Sequence, residues 1–177
     1  HESTESRGAQ RHTDRIMIRC TDRVMEALRA HAVDEYPYEC CGYVTGTDDP
    51  ETWIVHRCRN MQNELHARDP EQYPRDARTA YIFNEEDMKQ LFYNEFEDPD
   101  KRVVGFYHSH PDHPAYFSEK DRMEALTDWF EPEPFYLVLS VSENSISDMK
   151  AFVWNEQTET FDERLCLDGA KSHTQGE

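Results

Sequence analysis

Two hydrophobic periods alternate along this chain, and their order constrains the fold more than any single residue does. Thr21 can cap a helix whose apolar positions Val24, Ala27, Leu28, Ala32 and Tyr36 keep a helical spacing until Pro37 stops it. Tyr43-Val44-Thr45 and Trp53 to Cys58 then read as two strands around a turn from Gly46 to Pro50, a hairpin. Asn84 caps a second helix that carries Glu85, Glu86 and Asp87 in its first turn, where the helix dipole favours anions. Its apolar face is Met88, Leu91, Phe92 and Phe96, and it ends near Pro99. Arg102 to His110 reads as a strand ended by Pro111, and Ser118 caps a third helix to about Phe130. Phe135 to Val141 and Met149 to Trp154 are two further strands about a turn at Asn144-Ser145. This order predicts an α/β domain, with a mixed β-sheet flanked by helices.

A chain of 177 residues has room for one sizeable core. Residues 1–14 and 168–177 are polar and aperiodic, so both are expected to be flexible tails, with the domain at 15–167. The longest apolar run, starting at Phe135, falls far short of the roughly 20 residues a membrane span needs, and no secretion-type apolar stretch opens the chain. Five cysteines, two of them adjacent at Cys40-Cys41 and none in a CxxC pair, suit a reducing compartment, and a cytoplasmic location is expected. Cys40 and Cys41 themselves read as small apolar core residues. A net charge of -18 repels phosphate backbones, which argues against nucleic acid as a partner. The 14 Arg against 5 Lys fit a solvated acidic face, adaptation to high salt, or attraction for a basic partner. The polar segment 60–79 is too long for a passive connector and is expected to be functional, with a mobile loop as the alternative.

His108 and His110 stand two apart in a predicted strand, so their side chains share one face while Ser109 takes the other. Two imidazoles on one face are half of a metal site, and Pro111 places them at the sheet's rim, within reach of loops. Asp121 could fold back over that rim from the first turn of the third helix. Two His and one carboxylate leave a position open for water, the composition of a catalytic rather than a structural zinc site. A further carboxylate must then take a proton, and Glu39 is the candidate. Ser118-Glu119-Lys120-Asp121 also has the form of a capping box, in which Asp121 would bond its own helix instead. His56 and His113 are assigned to no metal.

Glu39, followed by His108-Ser109-His110-Pro111, six residues, Ser118, two residues and Asp121, resembles the signature of the JAMM (MPN+) metallopeptidases. Tyr38-Glu39-Cys40-Cys41-Gly42 and Gly105-Phe106-Tyr107 resemble its small bacterial members, and the resemblance spans roughly 16–155. It implies an MPN domain of cytidine-deaminase-like fold and one catalytic Zn2+ held by His108, His110 and Asp121. It also implies that Glu39 is the general base and that Ser118 donates to the oxyanion. The activity implied is hydrolysis of an amide bond after the Gly-Gly tail of a ubiquitin-like protein, a ThiS/MoaD-type sulfur carrier or its conjugates. The alternatives are a deubiquitinase-like enzyme of a bacterial conjugation system and a non-catalytic MPN scaffold. A zinc deaminase would need H-x-E with P-C-x-x-C, and neither is present. The resemblance leaves the oligomeric state open.

Overall fold

The structure, a computed structural model, describes residues 17–127 and 133–168. The expected tails lie outside these residues, except that Asp168 closes the last strand. The end of the third helix, 128–130, lies outside them too, as do the side chains of Phe92 and Phe96.

The chain runs β1 (Met17–Cys20), α1 (Asp22–Glu35), β2 (Cys41–Gly46), a single 3-10 turn (Pro50–Thr52), β3 (Ile54–Cys58), α2 (Gln62–Arg68) and α3 (Glu85–Glu97). It continues through β4 (Arg102–Pro111), α4 (Glu119–Thr127), β5 (Phe135–Ser142), β6 (Ser145–Asn155) and β7 (Thr160–Asp168). Seven strands form one mixed sheet in the order β1-β7-β6-β5-β4-β2-β3. Within it β4 and β5 run parallel, as do β1 and β7, and every other pair is antiparallel. The expected α/β architecture is therefore present. Among the described residues no helix is long and apolar enough to cross a membrane.

Helices cover both faces of the sheet, which explains why its central strands are nearly continuous runs of buried residues. On one face α1 lays Val24, Leu28 and Ala32 against Tyr107, Leu137, Leu139 and Ala151. Thr21 caps α1 as expected, its side chain accepting from the Val24 N–H. On the other face, Leu91 of α3 and Ala125 of α4 join Cys41, Phe106, Tyr136, Val138 and Phe152. Asn84 accepts from the Glu86 and Asp87 N–H groups and starts α3 where the sequence places it. Gly42 is required by packing: a side chain there would run into the Tyr107 ring and the His56 carbonyl.

Four elements depart from the sequence reading. β1 and β7 are extra strands, and β6 begins at Ser145 rather than Met149, because its polar first half still pairs with β5. The 60–79 segment contains α2, and its side chains tie it down by hydrogen bonds to backbone. Gln62 Nε2 donates to Arg75 O at 2.8 Å, Asn63 Oδ1 accepts from Ala77 N at 2.8 Å, and His66 Nδ1 meets Tyr73 O at 2.6 Å. Polar composition here builds a segment cross-linked by its own side chains.

Candidate metal centre

β4 sits near the middle of the sheet, and its alternation sends Tyr107 and Ser109 toward α1 while His108 and His110 face the α4 side. Both histidines are buried, at 2% and 7% exposure, so neither is a solvated surface residue. Their Nε2 atoms lie 3.1 Å apart. Asp121, in the first turn of α4, brings Oδ2 to 3.2 Å from His108 Nε2 and 3.8 Å from His110 Nε2. His110 Nδ1 lies 2.9 Å from the Pro114 carbonyl, an acceptor, so the proton belongs on Nδ1 and the lone pair on Nε2. His108 is held by Tyr81, whose ring stacks on it at a centroid distance of 4.8 Å.

These distances test whether a metal fits. Ligands of a tetrahedral ion at about 2.0–2.1 Å stand about 3.3 Å from one another. Spacings of 3.1, 3.2 and 3.8 Å among two imidazole lone pairs and a carboxylate oxygen match that geometry without rearrangement. Glu39 stands slightly further off: one of its carboxylate oxygens and a ring nitrogen of each histidine lie within 4.8 Å of one another, and this trio too could hold an ion. Of the two acids, Asp121 makes the tighter set.

The capping box is also real. Asp121 N donates to Ser118 Oγ at 3.0 Å, and Ser118 N donates to Asp121 Oδ2 at 3.0 Å. The two readings of Asp121 are compatible, because the oxygen that starts the helix is the one facing the histidines. Burial alone would raise the Asp121 carboxyl, but the charge His108 carries when protonated, with hydrogen bonds from the two rings in that state and from the Ser118 N–H, holds it well below the usual carboxylate range; a bound cation would take the place of that charge. Ser118 caps by accepting, so its O–H remains able to donate outward.

Glu39 lies just before β2 and is 4% exposed. Burial, then the Asp121 charge, pushes its carboxyl up to about 9, with Lys120 and Arg75 pulling the other way. A dication between the histidines would draw it back down. Glu39, Tyr81, His110, Ser118 and Asp121 share one cavity of about 320 Å³, whose rim carries Arg75 and Lys120.

Residues 21–155 match the family described as prokaryotic homologs of the JAB domain. The chain belongs to that family. Among solved structures, this JAB domain is similar to a protein of Desulfitobacterium hafniense at 25% identity, over 86% of this chain and 92% of that one, with a TM-score of 0.58. It is similar at 24% identity to a protein of Salinibacter ruber, over 84% and 90% of the two chains, with a TM-score of 0.53. A JAB1/MPN domain protein of Archaeoglobus fulgidus overlaps more loosely, at 16% identity over 85% and 98% and a TM-score of 0.42. No curated protein matches the chain.

The structure thus brings Glu39, His108, His110, Ser118 and Asp121 to one place. It leaves His56 elsewhere, stacked on Tyr43 at 4.6 Å with Nε2 2.8 Å from Thr45 Oγ1. Cys40 and Cys41 are buried in the two cores and, by burial, their thiols are pushed up, Cys40 to about 12. What the sequence reading missed is Tyr81; its only signal was the aromatic pair Tyr81 and Phe83 just before the Asn84 cap.

Proposed function

We propose that this JAB domain is a zinc-dependent metallopeptidase that hydrolyses the amide bond after the C-terminal Gly-Gly of a ubiquitin-like protein of the ThiS/MoaD sulfur-carrier type, or of its conjugates. The observation that carries the reading is the convergence of His108 Nε2, His110 Nε2 and Asp121 Oδ2 within 3.8 Å, beside a buried Glu39 in the same cavity. Imidazole and carboxylate donors at this spacing suit zinc, and three protein ligands leave a position for chemistry. Zinc held there supplies Lewis acidity toward water and the scissile carbonyl.

Glu39 accepts the proton of the attacking water and delivers it to the amine as the C–N bond breaks, so one carboxylate serves first as base and then as acid. Its buried position keeps competing water away from that transfer. Ser118 Oγ, anchored by the Asp121 N–H, donates its proton toward the oxygen that gains charge when the carbonyl is attacked. The cavity, about 320 Å³, lies at the small end of ligand pockets, which run to about 1,000 Å³. An extended tail without side chains suits it better than an ordinary peptide.

The test joins metal analysis to turnover. Protein purified with zinc should hold about one ion per chain and release the fluorophore from a MoaD-type carrier whose Gly-Gly terminus is amide-linked to aminomethylcoumarin. Wild type without bound zinc would sink the site reading. Zinc-loaded protein that cleaves neither this carrier nor ubiquitin bearing the same group would leave a scaffold.

A further inference from the structure

We propose that Asn60 is the positioning residue for Glu39, fixing the base and the Tyr81 part of the cavity wall through one side-chain amide. The inference rests on the assignment of Glu39 as base, but its observations stand apart from the metal donors.

Glu39 precedes β2, so no strand ladder holds its peptide in place. Side chains and a loop do so instead. Its N–H donates to Ala77 O at 2.7 Å, and its carbonyl accepts from Asn60 Nδ2 at 2.9 Å. The next residue is clamped from the β4 side, Cys40 N donating to Ser109 Oγ at 2.7 Å and Ser109 N donating to Cys40 O at 3.1 Å. The base is therefore held between β4 and the 60–83 segment.

Asn60 is the hub of the second clamp. Its Nδ2 also donates to Ala80 O at 3.1 Å, while its Oδ1 accepts from Gln62 N at 3.0 Å and Ile82 N at 3.1 Å. Two donor protons and two acceptor lone pairs are all spent, the full capacity of a primary amide. The bonds to Ala80 and Ile82 bracket Tyr81, the residue stacked on His108. One amide thus sets the height of the base and of the ring that backs a ligand histidine. A serine or aspartate at position 60 could satisfy only part of this arrangement, since neither both donates twice and accepts twice in that fork.

None of the four bonds touches His108, His110 or Asp121, so the metal and the base can be separated experimentally. Asn60→Asp keeps an oxygen for the Gln62 and Ile82 N–H groups but turns a second oxygen against the Glu39 and Ala80 carbonyls. With the coumarin-linked carrier, zinc-loaded Asn60→Asp should keep one ion per chain and lose about ten- to a hundred-fold in kcat, with KM changed little, as expected for misplacement of a supported group. Its zinc-loaded crystal structure should show the Glu39 carboxylate displaced while His108 and His110 stay in place. Asn60→Ala, which deletes all four bonds, should lose more kcat and some melting temperature. A wild type that turns over no carrier would defeat the proposed function and leave the crystal comparison to decide the role of Asn60. Full kcat in Asn60→Asp, an unmoved Glu39 in its crystal structure, or loss of zinc together with folding would overturn the positioning role.

Discussion

The two faces of β4 carry buried histidine environments that look alike by exposure and differ in everything else. On the α1 face, His31 is 2% exposed and its Nδ1 lies 2.6 Å from the Tyr107 hydroxyl. On the α4 face, His108 is also 2% exposed, yet its Nε2 meets another imidazole nitrogen and a carboxylate oxygen. His31 has one neutral partner that satisfies it. His108 faces groups that all offer lone pairs, an arrangement that asks for a cation. Burial therefore does not mark a ligand; convergence of acceptors does.

Removing one histidine from each face should give the largest contrast. His108→Ala should abolish zinc binding and turnover, whereas His31→Ala should leave both intact per folded molecule and lower the melting temperature, read by metal analysis and calorimetry. Next in size, Glu39→Gln should retain the ion and lose about 10²–10⁴-fold in kcat, since only proton transfer is removed. Ser118→Ala should cost about 10²–10³-fold in kcat with KM little changed, and retained zinc would separate this from damage to Asp121.

A smaller effect comes from protons. Burial first, then the charge of Arg57, lowers folded His31 from 6.5 to about 4. The unfolded chain takes up its proton near 6.5, so this stabilisation is complete above that pH and is lost as pH falls toward 4. The difference amounts to about 3 kcal/mol, which denaturant titrations at pH 7 and pH 4 on His31→Ala and wild type would expose. If wild type and variant lose stability in parallel over that window, His31 is not the group responsible. Smallest, Tyr107→Phe should destabilise by about 1–3 kcal/mol, because it leaves the buried His31 nitrogen without a partner.

The same contrast shows what the sequence could and could not reveal. The caps at Thr21 and Asn84, the hairpin turn from Gly46 to Pro50 and the strand ending at Pro111 are local signals, and each element formed where its signal stood. β7 was hidden because Asp162-Glu163-Arg164 interrupts its alternation of apolar residues, and β1, four residues long, exists only as the parallel partner of β7. At the site, Glu39, His108, His110, Ser118 and Asp121 were named through the resemblance of their spacing to a family signature, and the structure brings them to one place. Tyr81 and the bonds of Asn60 were not, since they depend on how an aperiodic segment folds back about 20 residues later, a matter of tertiary contact with no period to read.

The shared use of Asp121 Oδ2 by helix cap and histidine cluster has a physiological side. Where a metal is needed to fold a protein, as in zinc fingers, removing it destroys the molecule. Here the carboxylate is aimed by its own helix and His110 by a backbone carbonyl, so the orientation of both groups rests on bonds that involve no ion. Chelation should then silence the protein without unfolding it, and returning the ion should restore it at once. If the proposed zinc chemistry holds, metal supply rather than new synthesis would set how much of the protein works.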